Sequence, residues 1–242
     1  MNEIVSYQLD GGIATITMDD GKANAMSVAM LAALNTALDH AEADGAVVLL
    51  TGRTGMFSGG FDLGVFKRGG SELVEMLSAG GLLTERLLSF PRPVVAACSG
   101  HAIAMGVFLL LSTDVRIGVD QGARFHINEV LIGLTLPRFA IEVSRQRLAP
   151  AHLSRAAVTA EPYNPQQALE AGFLDAVCPP DQLAATARAR AEALLKLNPE
   201  AHTATKLRLR APLLAALKES IRLDCEEWKA RFHAPADDGR QA

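Results

Sequence analysis

The sequence is poor in the features that mark several common function classes. Cysteine occurs three times, at Cys98, Cys178 and Cys225. That is too few and too scattered for a disulfide framework or a zinc site, and the odd count fits a reducing compartment. No basic cluster is present. With 23 basic against 27 acidic residues the formal net charge is −4. This balance argues against nucleic acid and against an anionic membrane surface as the principal partner. The first residues, Met1 to Ile4, carry Glu3 and no apolar stretch of signal length, so a cytoplasmic location is expected.

One uncharged stretch, Pro93 to Thr113, is long enough to cross a bilayer. Ser99-Gly100-His101 and Gly106 interrupt it. It reads instead as a buried strand, a turn, and a buried helix beginning near Met105. Three phosphate or nucleophile signatures are also missing. No Gly-Lys-Ser/Thr follows a glycine loop, no G-x-G-x-x-G joins a strand to a helix, and Ser99 lacks the first glycine of a G-x-S-x-G elbow. His126 and Glu129 stand three apart, but no third metal ligand accompanies them.

What is present is a globular α/β chain. Apolar residues make up 49% and charged residues 21% of 242, enough for a sizeable core in one or two domains. Ile4 to Leu9 and Ile13 to Met18 flank Asp10-Gly11-Gly12 and predict a hairpin. Ser27 caps a helix carrying Met30, Leu31, Leu34 and Leu38, which Gly45 ends. Strands are expected at 46–51, 94–98, 115–119 and 173–177. Gly52 to Gly60 reads as irregular, and Glu72 to Phe90 as helix. Between Ala123 and Pro137 loop, short helix and loop are expected. Helices follow at 140–147, 151–158 and 165–171, and then from Asp181 to Phe232 with a break at Asn198-Pro199. Ala234 to Ala242 is polar and reads as a frayed end.

Two patterns carry chemistry. Phe57-Ser58-Gly59-Gly60-Phe61-Asp62-Leu63 follows a strand, and its small residues let a ligand reach the backbone. Alone it is a strand-to-helix turn capped by Asp62. The second pattern runs from Ala97 to Leu109, where a strand turns into an apolar helix. The first amides of a helix lack internal partners and can stabilise negative charge developing on a carbonyl oxygen.

With Lys22-Ala23-Asn24-Ala25-Met26 and Asn128-Glu129-Val130-Leu131-Ile132-Gly133, these patterns resemble the crotonase superfamily, the enoyl-CoA hydratase/isomerase family, over residues 4 to 210. The resemblance implies a spiral of β-β-α units over 1–195. It implies a helical region at 196–242 for oligomerisation or active-site cover, and a homotrimer or dimer of trimers. It implies an acyl-CoA thioester substrate, with CoA belonging to the substrate and no separate cofactor. Carried over to this chain, the oxyanion amides are those of Gly59 and Met105. Ser58, Gly60, Phe61 and Asp62 form the wall against CoA, and Asn128 and Phe108 contact substrate.

The family's hydratases have two glutamates. Here Phe108 stands at the first position and Glu129 at the second. A single base suffices to move a double bond, so the pattern is similar to the Δ3,Δ2-enoyl-CoA isomerases of fatty-acid β-oxidation. Hydration of 2-enoyl-CoA, with a histidine (His101 or His126) or water supplying the second proton, is the alternative. A catalytically weak thioester-binding protein is the alternative of another class. Phe61, Phe66, Phe108 and Phe139 are candidates for the acyl wall, and Lys206 or Arg208 for a CoA phosphate. Trp228, Phe232 and the leucines from Leu213 to Leu223 are read as core, or as cover for a neighbouring subunit's pocket.

Overall fold

The computed structural model describes residues 3–232. In chain order these form β1 (Val5–Asp10), β2 (Ile13–Met18), α1 (Val28–Ala43), β3 (Val47–Gly52), β4 (Gly55–Ser58), α2 (Leu63–Arg68) and α3 (Gly70–Ser89). Next come β5 (Val94–Cys98), β6 (Gly100–Ile103), α4 (Met105–Leu111), β7 (Val115–Val119), β8 (Phe125–His126), α5 (Arg138–Arg147) and α6 (Pro150–Ala157). Then follow α7 (Pro165–Ala171), β9 (Ala176–Cys178), α8 (Leu183–Leu195) and α9 (Pro199–Phe232).

The described residues form two sheets. The larger has the order β1-β2-β3-β5-β7-β9, parallel except for the β1–β2 hairpin. The smaller, β4-β6-β8, is parallel throughout. Successive turns place one strand in each sheet before the chain enters a helix: β3-β4-α2, then β5-β6-α4, then β7-β8-α5. This is the expected β-β-α spiral. β3 and β5 read as unbroken apolar runs because both faces are covered. The main core lies on one face, and a smaller cluster under α8 (Ile13, Val47, Leu49, Val95, Ile117) lies on the other.

Several local expectations need correction. Gly52 to Gly60 holds a strand, β4, and the expected turn at Ser99-Gly100-His101 opens β6. Both strands are short and glycine-flanked. Their ladder carries a bulge between Met56 and Ser58, so period-two alternation never develops. The strand expected at 173–177 starts three residues later, because Phe173 and Leu174 still bond back to Ala168 at the end of α7. Helix α2 precedes α3 and is capped by the Asp62 carboxylate on Gly64 N–H at 2.7 Å, as the strand-to-helix turn read at Phe57 to Leu63 expects.

α9 is continuous over 34 residues despite Pro212. Leu213, Leu217, Ile221 and Trp228 belong to the main core, beside α3 and α5 of the same chain. The stretch expected to fray, Ala234 to Ala242, lies outside the described residues. Among the described residues no helix is long and apolar enough to cross a membrane.

Candidate active site

The geometry begins in the polar loop between β2 and α1. The Asp20 carboxylate accepts from the N–H groups of Lys22, Asn24 and Ala25 at 2.7, 2.8 and 3.0 Å; burial works to raise its pKa, but these three donors together hold it below the usual carboxylate range. Asn24 is fully buried with φ +49°, and its amide donates to the carbonyls of Met18 and Phe57 at 2.9 and 3.2 Å. This loop is therefore a rigid peg, and the Ala23 carbonyl it presents accepts the Gly59 N–H at 2.7 Å.

That bond corrects the sequence-based assignment. The Gly59 amide already has an acceptor and cannot serve a ligand, although the residue borders the cavity. Ser58 is likewise internal. Its hydroxyl donates to Asn24 O at 2.8 Å and accepts Gly60 N–H at 3.2 Å, so it is not a CoA contact. Asp62 is used as the α2 cap. Two residues beyond Gly59, the Phe61 N–H has no acceptor among the described residues, and neither has the Met105 N–H.

The two segments meet at Gly60. Its φ is +94°, and a Cβ there would stand 2.8 Å from Ala104 Cβ and 3.4 Å from Met105 N. Only glycine allows that approach. Ala104 itself has φ +49° and ψ −121°, a strained setting for a residue with a Cβ. It is held by Ala104 N–H donating to His126 O at 2.8 Å and by its carbonyl accepting Val107 N–H at 2.8 Å. The strain turns the next peptide so that Met105 N–H begins α4 unpaired, at the positive end of the helix.

Phe61, Ala104, Phe108, Asn128 and Glu129 share a cavity of about 400 Å³. Glu129 starts the short 3-10 turn Val130–Ile132, which Gly133 ends in the left-handed region. The Glu129 carboxyl is buried, its Oε2 has no hydrogen-bond partner among the described residues, and desolvation pushes its pKa up to about 7. Asn128 Oδ1 is also unpartnered. Among the described residues two other carboxylates border the cavity, and both are committed. Asp224 accepts Arg138 N–H and Phe139 N–H at 3.2 and 3.0 Å and pairs with Arg138 Nη1 at 2.9 Å, while Glu227 pairs with the same nitrogen at 2.7 Å. Phe108 is 1% exposed and packs edge-on against Phe139 at 6.1 Å.

Neither histidine joins the cavity lining. His126 Nε2 lies 2.8 Å from Ala160 O, and His101 sits in β6 opposite Met56. Lys206 is sealed inside, bonded to Asp114 at 2.7 Å and to Phe90 O at 2.9 Å, so it is not available to a phosphate. Arg208 is exposed. The sequence reading missed the parts played by Ala23, Asn24 and Ala104. It also missed the cavity walls supplied by Leu77, Leu136 and Ile141, and Trp228 reaches the cavity from its own chain. The one available signal was Asn24 inside a tight polar loop.

The arrangement sets a buried carboxyl of raised basicity in the same cavity as two segments with unpaired amides. It can remove a proton next to a carbonyl and hold the resulting oxyanion.

Known proteins carry the same framework. A putative enoyl-CoA hydratase of Thermus thermophilus is 32% identical over 214 residues, 86% of this chain and 82% of that one. A crystal structure of an enoyl-CoA hydratase/isomerase family protein from Pseudomonas syringae superimposes with a TM-score of 0.91 at 43% identity, covering 93% of this chain and 98% of the other. The apo structure of an enoyl-CoA isomerase of Mycobacterium tuberculosis gives 0.90 at 42%, covering 94% and 100%. The family described as enoyl-CoA hydratase/isomerase matches residues 8–242, so the spiral from the middle of β1 onward and α9 fall within it. On that match the chain belongs to the enoyl-CoA hydratase/isomerase family, an enzyme of the crotonase superfamily.

Proposed function

We propose that this enzyme is a Δ3,Δ2-enoyl-CoA isomerase of fatty-acid β-oxidation, with Glu129 as the only proton carrier and the Phe61 and Met105 N–H groups as the oxyanion hole. The ionised Glu129 takes a proton from C2 of a 3-enoyl-CoA. The C–H electron pair moves toward C1, and charge develops on the thioester oxygen between the two amides. As the enolate collapses, the C1–C2 pair becomes the C2–C3 double bond. The former C3–C4 pair takes the proton back from Glu129 at C4. No water is consumed and no cofactor is needed beyond the CoA of the substrate. Each preorganised donor is worth about 3 kcal/mol in such a site.

The observation that carries this reading is that, among the described residues, Glu129 is the cavity carboxyl without an ionic partner, while Phe108 fills the other expected acid position with a buried ring. Hydration of 2-enoyl-CoA is the second reading, favoured by the name of the Thermus thermophilus relative. Purified protein assayed on 3-enoyl- and 2-enoyl-CoA separates the two. Isomerisation is expected to dominate, with part of a C2 deuterium label recovered at C4. Glu129→Gln is expected to keep acyl-CoA binding and lose at least a thousandfold in kcat. Hydration faster than isomerisation overturns the assignment, and full activity in Glu129→Gln removes Glu129 from its role. For the assembly we propose a homotrimer or a pair of trimers, as the family resemblance implies.

A further inference from the structure

We infer that Gly80, in the middle of α3, is a notch that holds the Phe61 ring out of the acyl space, so that the Gly80–Phe61 pair sets the longest acyl chain the enzyme accepts. The inference rests on reading the cavity as the acyl-CoA site.

α3 carries two adjacent buried glycines, Gly80 and Gly81. A glycine inside a helix costs about a kilocalorie per mole relative to alanine, so two together need a packing reason. At Gly81 a Cβ would crowd Ile221 Cγ1 at 3.2 Å, which a shift of a few tenths of an ångström relieves, and meet Phe139 Cδ1 in ordinary contact at 3.5 Å. Gly80 is different. A Cβ there would stand 2.5 Å from Phe61 Cζ and 2.6 Å from Phe61 Cε1. The tip of the Phe61 ring therefore occupies the volume that any side chain at position 80 would take.

The ring has little freedom elsewhere. Phe66 packs against it with ring centroids 6.3 Å apart, and Met105 Cε lies 3.4 Å from the same Cβ position. The backbone beside it is pinned, since Gly60 O accepts Met26 N–H at 2.8 Å and Asp62 caps α2. The remaining open direction is the cavity, which Phe61 borders together with Leu77 of α3. An alanine at position 80 drives the ring into that space. With each buried methylene worth roughly fourfold in affinity, excluding two of them costs long chains about tenfold or more.

Calorimetric binding of saturated acyl-CoAs, butyryl- to dodecanoyl-CoA, tests this without depending on turnover. Wild type is expected to bind more tightly as the chain lengthens. Gly80→Ala is expected to bind butyryl-CoA within about twofold of wild type and to lose tenfold or more for decanoyl-CoA. The double variant Gly80→Ala/Phe61→Ala is expected to regain the long-chain affinity. An unchanged length profile in Gly80→Ala, an equal loss at every length, or no recovery in the double variant overturns the inference and leaves the acyl-CoA reading intact. Wild type that binds no acyl-CoA of any length overturns both.

Discussion

At the scale of single residues the chemistry turns on one carboxyl. Glu129 has its pKa raised from 4.5 to about 7 because burial penalises its charged form. A base must be ionised to act, so kcat/KM is expected to rise tenfold per unit as pH climbs toward about 7 and to level off above it. A profile flat between pH 5 and pH 8 would exclude this group as the base. The same shift has a sign for stability. The folded state holds the proton more tightly than the unfolded chain. Stability from the neutral group is therefore complete below about pH 4.5 and is lost as pH rises through about 7. Glu129→Gln cannot ionise. Its melting temperature relative to wild type is expected to increase from pH 5 to pH 8, by the equivalent of up to about 3 kcal/mol. Other titrating groups cancel in that difference, so a pH-independent gap would mean the carboxyl is not desolvated. Glu129 was legible in the sequence only through its place before an apolar turn. Gly59 was misassigned because a sequence shows which residues could offer an amide, and the Ala23 carbonyl that occupies this one comes from a loop 36 positions away.

At the scale of elements, the long periodic segments were legible and the short ones were not. Helix α1, with Ser27 at its cap, and strands β2, β3, β5 and β7 follow from apolar spacing and punctuation. Strands β4, β6 and β8 have four, four and two residues, too few for any periodicity, and they exist because each turn of the spiral docks on the one before it. The joint between α5 and α9 was equally hidden. No side chain caps α5 from its own segment. The Asp224 carboxylate of α9 does so instead, accepting the Arg138 and Phe139 amides while pairing with the Arg138 guanidinium. Four residues further along, Trp228 borders the cavity. Asp224→Ala strands buried donors and is expected to destabilise the fold by about 2–4 kcal/mol. It is also expected to raise KM for long acyl-CoAs more than it lowers kcat, since α9 lines the wall rather than the reacting atoms. Glu227→Ala, which removes a half-exposed partner, is expected to cost less than about 1 kcal/mol. Equal melting temperatures for the two variants would show that the cap does not hold α9.

At the scale of the whole molecule, the alternation of strands and helices announces an α/β core, its winding into a spiral is legible only through the family resemblance, and its outer surface is not written in periodicity. Most of the exposed large apolar residues stand singly, which is ordinary for a folded protein's surface. The turn after Glu129 departs from that. Val130, Leu131 and Ile132 are consecutive and are 47%, 70% and 50% exposed. Ile132 also borders the cavity, as does Leu63 at 61% exposure, so the apolar surface continues to the cavity mouth. A contiguous apolar surface of this kind beside a functional cleft is the sort that assembly covers. If the chain forms the trimer or pair of trimers proposed for it, sedimentation should give three or six times 25.7 kDa. Leu131→Glu should lower that mass, because a charge placed in an apolar contact is not solvated there. The same variant tests where the turn lies. A variant that keeps the wild-type mass puts Leu131 outside the contact, and wild type sedimenting as a monomer at micromolar concentration excludes the assembly. A variant that loses both mass and activity ties the Glu129 turn to a neighbouring subunit, because the substitution leaves the cavity's own walls, Phe108, Leu136 and Trp228, in place.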